Sequence, residues 1–178
     1  MIVMINGAFG VGKTTVAESL QSQLPNSIVY DPEVVGFFLR ELLPEGSKQL
    51  EAPSGNFQDY VLWREYVVKV ARSLVDTYDK HLIVPMTIYN YDYFNYIRGG
   101  FEDICRTDHY CLKASRETIE TRLLKRGEEK GNWCFQQIEH CLESFSVHDF
   151  STYISTDNRH VAAVVEEINR QSSLELTK

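Results

Sequence analysis

The amino-acid sequence predicts an α/β fold with a mostly parallel sheet. Short apolar segments alternate along the chain with longer segments that have helical spacing, and this alternation is typical of parallel βαβ units. The apolar segments are continuous runs, as expected where helices cover both faces of a sheet. Because the chain has 178 residues, we expect residues 1–178 to form a single domain.

The first half of the chain supplies two strands and two helices. Residues 2–6 are an apolar run closed by a glycine, which predicts a buried strand. The pattern of residues 11–24 predicts a helix that Pro25 ends. A second strand is predicted at residues 27–30, and a short helix follows over residues 32–43.

The alternation continues after a polar segment, residues 44–56, which is rich in proline and glycine and is predicted as a loop. The remaining predicted elements are a long helix at 60–78, strands at 82–86, 110–113 and 153–155, helices at 116–126, 133–145 and 161–170, and a polar tail. Ligands bind beyond the carboxyl ends of strands in such sheets, so we expect the functional residues just after each strand.

Composition and charge disfavour several classes of function. The chain has 18 basic and 25 acidic residues, a formal charge of −7, whereas a protein that binds duplex nucleic acid usually has a basic face. No apolar run approaches the roughly 20 residues that span a bilayer, and the N-terminus has no signal-peptide pattern. The four cysteines show no C-x-x-C spacing, so we expect reduced thiols in a cytoplasmic protein.

The turn after the first strand reads Gly-Ala-Phe-Gly-Val-Gly-Lys-Thr and fits the phosphate-loop (P-loop) pattern G-x-x-x-x-G-K-[ST] without a mismatch. Its glycines let backbone amides surround phosphate oxygens, and the helix that follows adds the positive end of its dipole. Lys13 would reach the β- and γ-phosphates of ATP, and the Thr14 hydroxyl would ligate Mg²⁺. The predicted cofactors are therefore ATP and Mg²⁺, and the predicted nucleotide-binding residues are Gly7, Ala8, Phe9, Gly10, Val11, Gly12, Lys13, Thr14 and Thr15.

Asp31 lies at the carboxyl end of the second predicted strand, where two compatible roles are open. It can cap the next helix, with Pro32 at the first helical position and Glu33 in the first turn. It can also face the transferred phosphoryl group, where it would accept the proton of an acceptor hydroxyl or help to hold Mg²⁺ through water. Arg40, two turns further along, either contacts a substrate or is solvated.

The third predicted strand is followed by Thr87 and has no carboxylate at its end. Many P-loop ATPases carry a metal-binding Asp at this place. Its absence favours a small-molecule kinase, in which the carboxylate of the second strand takes that role, over a motor-type or AAA-type ATPase.

A basic segment begins at Arg116. Arg122 and Arg126 are four residues apart and share a helix face. The segment is either a solvated helix face matched by neighbouring glutamates or a lid over ATP at about residues 116–133, whose arginines neutralise charge on the γ-phosphoryl group. The predicted catalytic residues are Lys13, Asp31, Arg122 and Arg126.

Aromatic residues are concentrated on the long helix and just after the third predicted strand. Core packing accounts for many of them, and the others would line a broad, apolar pocket for a small-molecule acceptor. The predicted acceptor-binding residues are Asp31, Phe37, Arg40, Trp63, Arg64, Met86, Thr87 and Tyr89.

Several strings together resemble the bacterial tunicamycin-resistance proteins. They are the P-loop at residues 5–14, Asp-Pro-Glu at 31–33, Leu-Trp-Arg at 62–64, Ile-Val-Pro-Met-Thr at 83–87, Tyr-Phe-Asn at 93–95 and Thr-Asp-Asn at 156–158. The resemblance implies a nucleotide-kinase-like P-loop fold with five parallel strands in the order 2-3-1-4-5 and a lid. It also implies ATP binding and protection against tunicamycin, a nucleoside antibiotic with a fatty acyl chain.

Three functional hypotheses follow. The leading one is a kinase that depends on ATP and Mg²⁺ and acts on a small hydroxyl-bearing acceptor, with tunicamycin or a related nucleoside glycolipid as the first candidate. The second is a non-catalytic, nucleotide-dependent protein that sequesters the drug. The third is a small-molecule kinase or P-loop toxin with another acceptor.

Overall fold

The computed structural model describes residues 1–150 and 152–172. The strands among these residues are β1 (Ile2–Gly7), β2 (Ser27–Val29), β3 (His81–Pro85), β4 (Thr107–Lys113) and β5 (Tyr153–Ser155). The α-helices are α1 (Lys13–Gln21), α2 (Glu33–Leu42), α3 (Glu45–Glu51), α4 (Val61–Tyr78), α5 (Tyr91–Glu102), α6 (Arg116–Lys125), α7 (Trp133–Val147) and α8 (Val161–Ser172). The predicted polar tail lies outside the described residues from residue 173 onward.

The five strands form one parallel sheet in the order β2-β3-β1-β4-β5. The predicted fold class and strand order are therefore confirmed. β1 lies in the centre, and all of its residues are buried, which explains its continuous apolar sequence. β3 and β2 lie on one side of β1, and β4 and β5 lie on the other. The strand order therefore changes direction at β1, and in such sheets a crevice lies beyond the carboxyl ends of the strands at this switch point.

The predicted first and last residues of the elements agree less well with the structure than the predicted order of the elements does. β5 occupies the predicted residues, whereas β4 begins at Thr107 because Ile2 and Thr107 already pair across the sheet. Thr107 and Asp108 are polar, so an apolar-run criterion misses them.

Two helical segments were missed by the sequence patterns. The segment predicted as a loop contains α3, in which Lys48 Nζ lies 2.9 Å from a Glu45 carboxylate oxygen. α5 follows β3, and its cap is the Asn90 side chain, which accepts hydrogen bonds from the backbone N–H groups of Asp92 and Tyr93. An Asn directly before a helix is a recognised start signal, but the run of tyrosines obscured it.

Helices cover both faces of the sheet, with α1 against α8 and α4 against α5. Across residues 1–150 and 152–172, no helix has both the length and the apolar character that crossing a membrane requires.

Candidate active site

The P-loop joins β1 to α1 at the centre of the sheet. Gly12 precedes the first helical residue and has a φ of 105°, a conformation that favours glycine. Gly10 has a φ of 79°, and a Cβ there would lie 2.9 Å from the Leu123 side chain of α6. These positions bend the loop around the N-terminus of α1, whose first backbone N–H groups are free to meet an anion.

Asn6, the last polar residue of β1, fixes the entry to this loop. Its side-chain oxygen accepts hydrogen bonds from the backbone N–H groups of Gly7 at 2.8 Å and Ile88 at 2.9 Å, and its amide donates to the Ile88 carbonyl at 2.8 Å. The residue is fully buried. Sequence reasoning missed this role, although a polar side chain at the end of an apolar strand was a usable signal.

Lys13 points back across the loop. Its Nζ donates to the Ala8 carbonyl at 2.9 Å and lies 5.4 Å from the centre of the Phe9 ring. Burial lowers the pKa of Lys13 to about 8, and the nearby charge of Arg126 acts in the same direction. A phosphate beside Nζ would oppose this shift, so the site favours an anion at this position.

Asp31 and Glu33 form a pair of carboxylates at the start of α2. Asp31 Oδ1 accepts a hydrogen bond from the Glu33 backbone N–H at 2.9 Å. Asp31 therefore bonds to the first residue of α2, although Pro32, predicted as the first helical residue, occupies the cap position. Glu33 is half-buried, and its pKa is raised first by burial and then by the charge of Asp31. Sequence reasoning singled out Asp31 and gave Glu33 only a capping role, but the structure brings both carboxylates to the same cleft.

A cleft of about 1040 Å³ extends from the P-loop to α2. Most of the predicted nucleotide-binding residues line it, with Asp31, Phe37, Arg40, Met86, Arg122 and Arg126. Phe57 and Gln58, in the short 3-10 turn before α4, also line it and were not predicted. We call the part of the cleft at the P-loop the phosphate end and the part beside α2 and the 3-10 turn the acceptor end, after the ligands predicted for them.

Four predicted acceptor-binding residues do not line this cleft. Trp63 is buried, and its indole N–H donates to the Pro32 carbonyl at 3.1 Å, which positions the start of α2. The Arg64 guanidinium donates to the Gln58 carbonyl at 2.8 Å. The Thr87 carbonyl accepts from the Gln58 amide at 2.6 Å, and the Tyr89 hydroxyl donates to Gln137 at 3.1 Å. These contacts place the four residues behind the cleft wall, although the buried Thr87 hydroxyl has no hydrogen-bond partner among the described residues.

Arg40 lies at the acceptor end but is held by the protein. Its guanidinium donates to the Gly55 carbonyl at 2.6 Å and lies 4.9 Å from the centre of the Phe57 ring. Arg40 is partly exposed, so substrate contact and solvation both stay open for it, and its charge lies beside an aromatic wall.

The predicted lid segment divides into two parts. α6 is packed into the core through Ile119 and Leu123, while residues 126–132 form a loop at the mouth of the cleft. Arg122 donates to the Val11 carbonyl at 3.0 Å, the Thr156 hydroxyl at 2.9 Å and the Thr156 carbonyl at 2.7 Å. Arg122 thus ties the P-loop to the loop after β5, whereas the Arg126 side chain is 56% exposed.

Comparison with known proteins places the chain in a family. A family model described as an AAA domain matches residues 3–146. The structure of the Deinococcus radiodurans tunicamycin resistance protein is similar to this chain with 30% identity and a TM-score of 0.80, and the match covers 99% of this chain and 98% of that one. The chain belongs to the tunicamycin-resistance family.

Other solved structures share the fold alone. A sugar kinase from Janibacter has 17% identity and a TM-score of 0.71, with 98% of this chain and 95% of that chain covered. A gluconokinase from Sinorhizobium meliloti has 17% identity and a TM-score of 0.64, with coverage of 98% and 93%. A comparison with curated proteins finds no match. The family member described here therefore has a kinase-like P-loop fold, which generally binds nucleotides.

The missing carboxylate after β3 disfavoured a motor-type or AAA-type ATPase relative to a small-molecule kinase, and this stays a prediction about activity. The AAA domain model itself matches from β1 into α7. The matched residues include β2, β3, β4 and nearly all of β1 but end before β5, whereas the prediction depended on one position. The same position, Thr87, still gives the chain no metal-binding carboxylate at the end of β3.

The donor groups near the P-loop suit Mg²⁺. This ion takes oxygen ligands and is usually held by one or two protein groups together with substrate phosphates and water. Thr14 and Asp31 offer a hydroxyl and a carboxylate on the same cleft. No cluster of three or more His, Cys, Asp or Glu that could hold a metal exists among the residues the structure describes, so Mg²⁺ would depend on the nucleotide for its other ligands.

Replacing Lys13 with Ala tests the phosphate end. The ammonium group is the cation closest to the loop carbonyls, and we expect most of the MgATP-dependent rise in melting temperature to disappear, because a ligand stabilises by RT ln(1 + [L]/Kd). Thermal shift with a titration of MgATP measures this. Lys125→Ala, at the exposed end of α6, is the matched control, and full stabilisation of Lys13→Ala would contradict the assignment.

Arg122→Ala is expected to lower the free energy of unfolding by about 2 kcal/mol, because it removes charged hydrogen bonds between α6, the P-loop and the β5 loop. Arg126→Ala should change stability by less than about 1 kcal/mol, since its ion pair is exposed. Urea denaturation of both variants makes the comparison. An equal free energy of unfolding in the two variants would show that the Arg122 hydrogen bonds do not stabilise the fold.

Proposed function

We propose that this protein binds ATP with Mg²⁺ and transfers the γ-phosphoryl group to a hydroxyl of a small acceptor, with tunicamycin or a related nucleoside glycolipid as the leading candidate. The observation that carries this proposal is the single cleft that joins the P-loop to the carboxylates of α2. The family relationship and the kinase-like fold support it. The unpaired cysteines fit a reducing compartment, and we place the activity in the cytoplasm.

At the nucleotide end, backbone amides of the P-loop would bind phosphate oxygens, and Lys13 would neutralise charge at the γ-phosphate. Thr14 and Asp31 would hold Mg²⁺, which supplies charge neutralisation when bound. Arg126 lines the same end, and its charge counts most when negative charge redistributes in the transition state. Thr156 and Arg159 line the cleft at the β5 loop and are proposed to border the nucleotide base.

At the acceptor end, we assign the general base to Glu33. Its raised pKa makes it a better proton acceptor than an ordinary glutamate. The acceptor oxygen forms a bond to the γ-phosphorus as the bond from that phosphorus to the bridging oxygen breaks. The hydroxyl proton passes to the Glu33 carboxylate, and ADP leaves.

The chemistry of the acceptor end favours a neutral, partly apolar molecule. Phe37, Phe57 and Met86 line it, and its arginine, Arg40, is already bonded to Gly55. On the outer face of α2, Val34, Phe38 and Leu42 are more than half exposed and continue the apolar surface beyond Phe37. A sugar acid would need several converging cations, whereas an aromatic wall suits a base or an acyl chain.

Two measurements test the function. Isothermal calorimetry with a non-hydrolysable ATP analogue present should detect binding of tunicamycin and none of gluconate or shikimate. ADP release should depend on added tunicamycin and be matched by a phosphorylated product. Binding without product would favour drug sequestration, and binding of a sugar acid alone would assign the protein to another acceptor.

A further inference from the structure

One carboxylate, that of Glu128, bonds to both sides of the loop between α6 and α7. Glu128 Oε1 accepts a hydrogen bond from Arg126 Nη2 at 2.8 Å, and Glu128 Oε2 accepts from the Asn132 side-chain amide. Asn132 Oδ1 accepts in turn from the Phe135 backbone N–H at 3.1 Å and caps α7. Glu128 thus links the end of α6 to the start of α7.

The same carboxylate also lines the cleft, as do Arg126, Lys13 and Glu33. Burial sets the direction of the pKa shift at both groups, downward for Lys13 and upward for Glu33, and the charge of Arg126 makes a smaller contribution at each. Its guanidinium is therefore near the groups around the proposed γ-phosphate position. Glu128 neutralises that guanidinium, and a phosphate oxygen would need the same N–H groups.

We propose that Glu128 is a positioning residue that competes with the terminal phosphates of the nucleotide for Arg126. This inference rests on the ATP binding of the proposed function. When ATP binds, Arg126 exchanges the carboxylate for phosphate oxygens, and Glu128 keeps its contact with Asn132. The exchange lowers the affinity for ATP and leaves the affinity for AMP unchanged, because AMP has no β- or γ-phosphate.

The size of the effect follows from the exposure of the pair. The side chains of Arg126 and Glu128 are 56% and 28% exposed, and exposed ion pairs are weak. We therefore expect removal of the Glu128 charge to tighten ATP binding by about two- to fivefold. A gain in affinity is informative because damage to the fold would weaken binding instead.

The experiment measures the Kd of the full chain for MgATP and AMP by calorimetry. Glu128→Gln removes the charge but keeps an oxygen for Asn132, and Glu129→Gln removes the same charge from the adjacent exposed residue. Of these two variants, only Glu128→Gln should lower the Kd for MgATP, and neither should change the Kd for AMP. The gain in MgATP affinity should vanish when Arg126→Gln is added to Glu128→Gln. Asn132→Ala should lower the melting temperature of the protein without raising its affinity for MgATP.

Three results would overturn the inference: unchanged or weaker ATP binding by Glu128→Gln, an equal gain in Glu129→Gln, or a gain that persists in Arg126→Gln. Failure of the proposed function can be distinguished from failure of this inference. ATP binding without phosphoryl transfer refutes that function and leaves the competition intact, whereas absence of ATP binding in the unaltered protein refutes both.

Discussion

Turnover by the Glu33→Gln variant is expected to fall by about 10²- to 10⁴-fold, the usual contribution of a general base. Gln has nearly the same shape as Glu but cannot take the proton of the acceptor hydroxyl. ATP binding should survive, because Glu33 contacts no part of the P-loop by a hydrogen bond among the described residues. Acceptor-dependent ADP release, with MgATP affinity measured in parallel, provides the readout.

Asp31→Asn is the matched comparison for Glu33→Gln. It keeps the oxygen that accepts the Glu33 backbone N–H, so folding should be preserved. If Asp31 helps to hold Mg²⁺, turnover in Asp31→Asn falls mainly at low Mg²⁺ and recovers in part as Mg²⁺ is raised, whereas Glu33→Gln does not recover. Full activity of Glu33→Gln would reject its role as the base, and a loss confined to Asp31→Asn would return that role to Asp31.

We expect acid to destabilise the fold through His109, a buried residue of β4. Burial, reinforced by the charge of Arg98, lowers the pKa of His109 from 6.5 to about 3. The folded state therefore keeps this imidazole neutral below pH 6.5, while the unfolded chain takes up a proton. The free energy of unfolding should fall by about 1.4 kcal/mol for each pH unit between pH 6.5 and pH 3, and be unaffected by His109 above that range.

Denaturant titrations from pH 7 to pH 4 measure this dependence. His109→Leu replaces the ring, which lies 4.7 Å from the Phe94 ring centre, with an apolar side chain and should remove this part of the slope. His160→Gln, at an exposed position, should keep the slope of the unaltered protein. The same slope in all three proteins would show that other groups govern the acid transition.

The place of the P-loop in the fold could be predicted from the sequence, and seven of the nine predicted nucleotide-binding residues line the cleft. A P-loop is a local motif: its glycines, its lysine and the adjoining strand and helix are consecutive, so spacing alone predicts their geometry. The acceptor end could not be predicted in the same way. Trp63 and Arg64 are aromatic and cationic residues on the expected helix, but the Trp63 indole turns to Pro32 and the Arg64 guanidinium to Gln58.

By itself, the sequence determined the parallel α/β sheet, the P-loop between β1 and α1, and the carboxylate at the end of β2, because each depends on hydrophobic runs and short-range spacing. The tertiary structure alone decided which polar groups remain available to a ligand. Arg122 gives three hydrogen bonds to Val11 and Thr156 while it also lines the cleft, and Glu33 lines the same cleft as Lys13. These outcomes depend on contacts between residues far apart in the chain, and such contacts form only when packing brings the elements together.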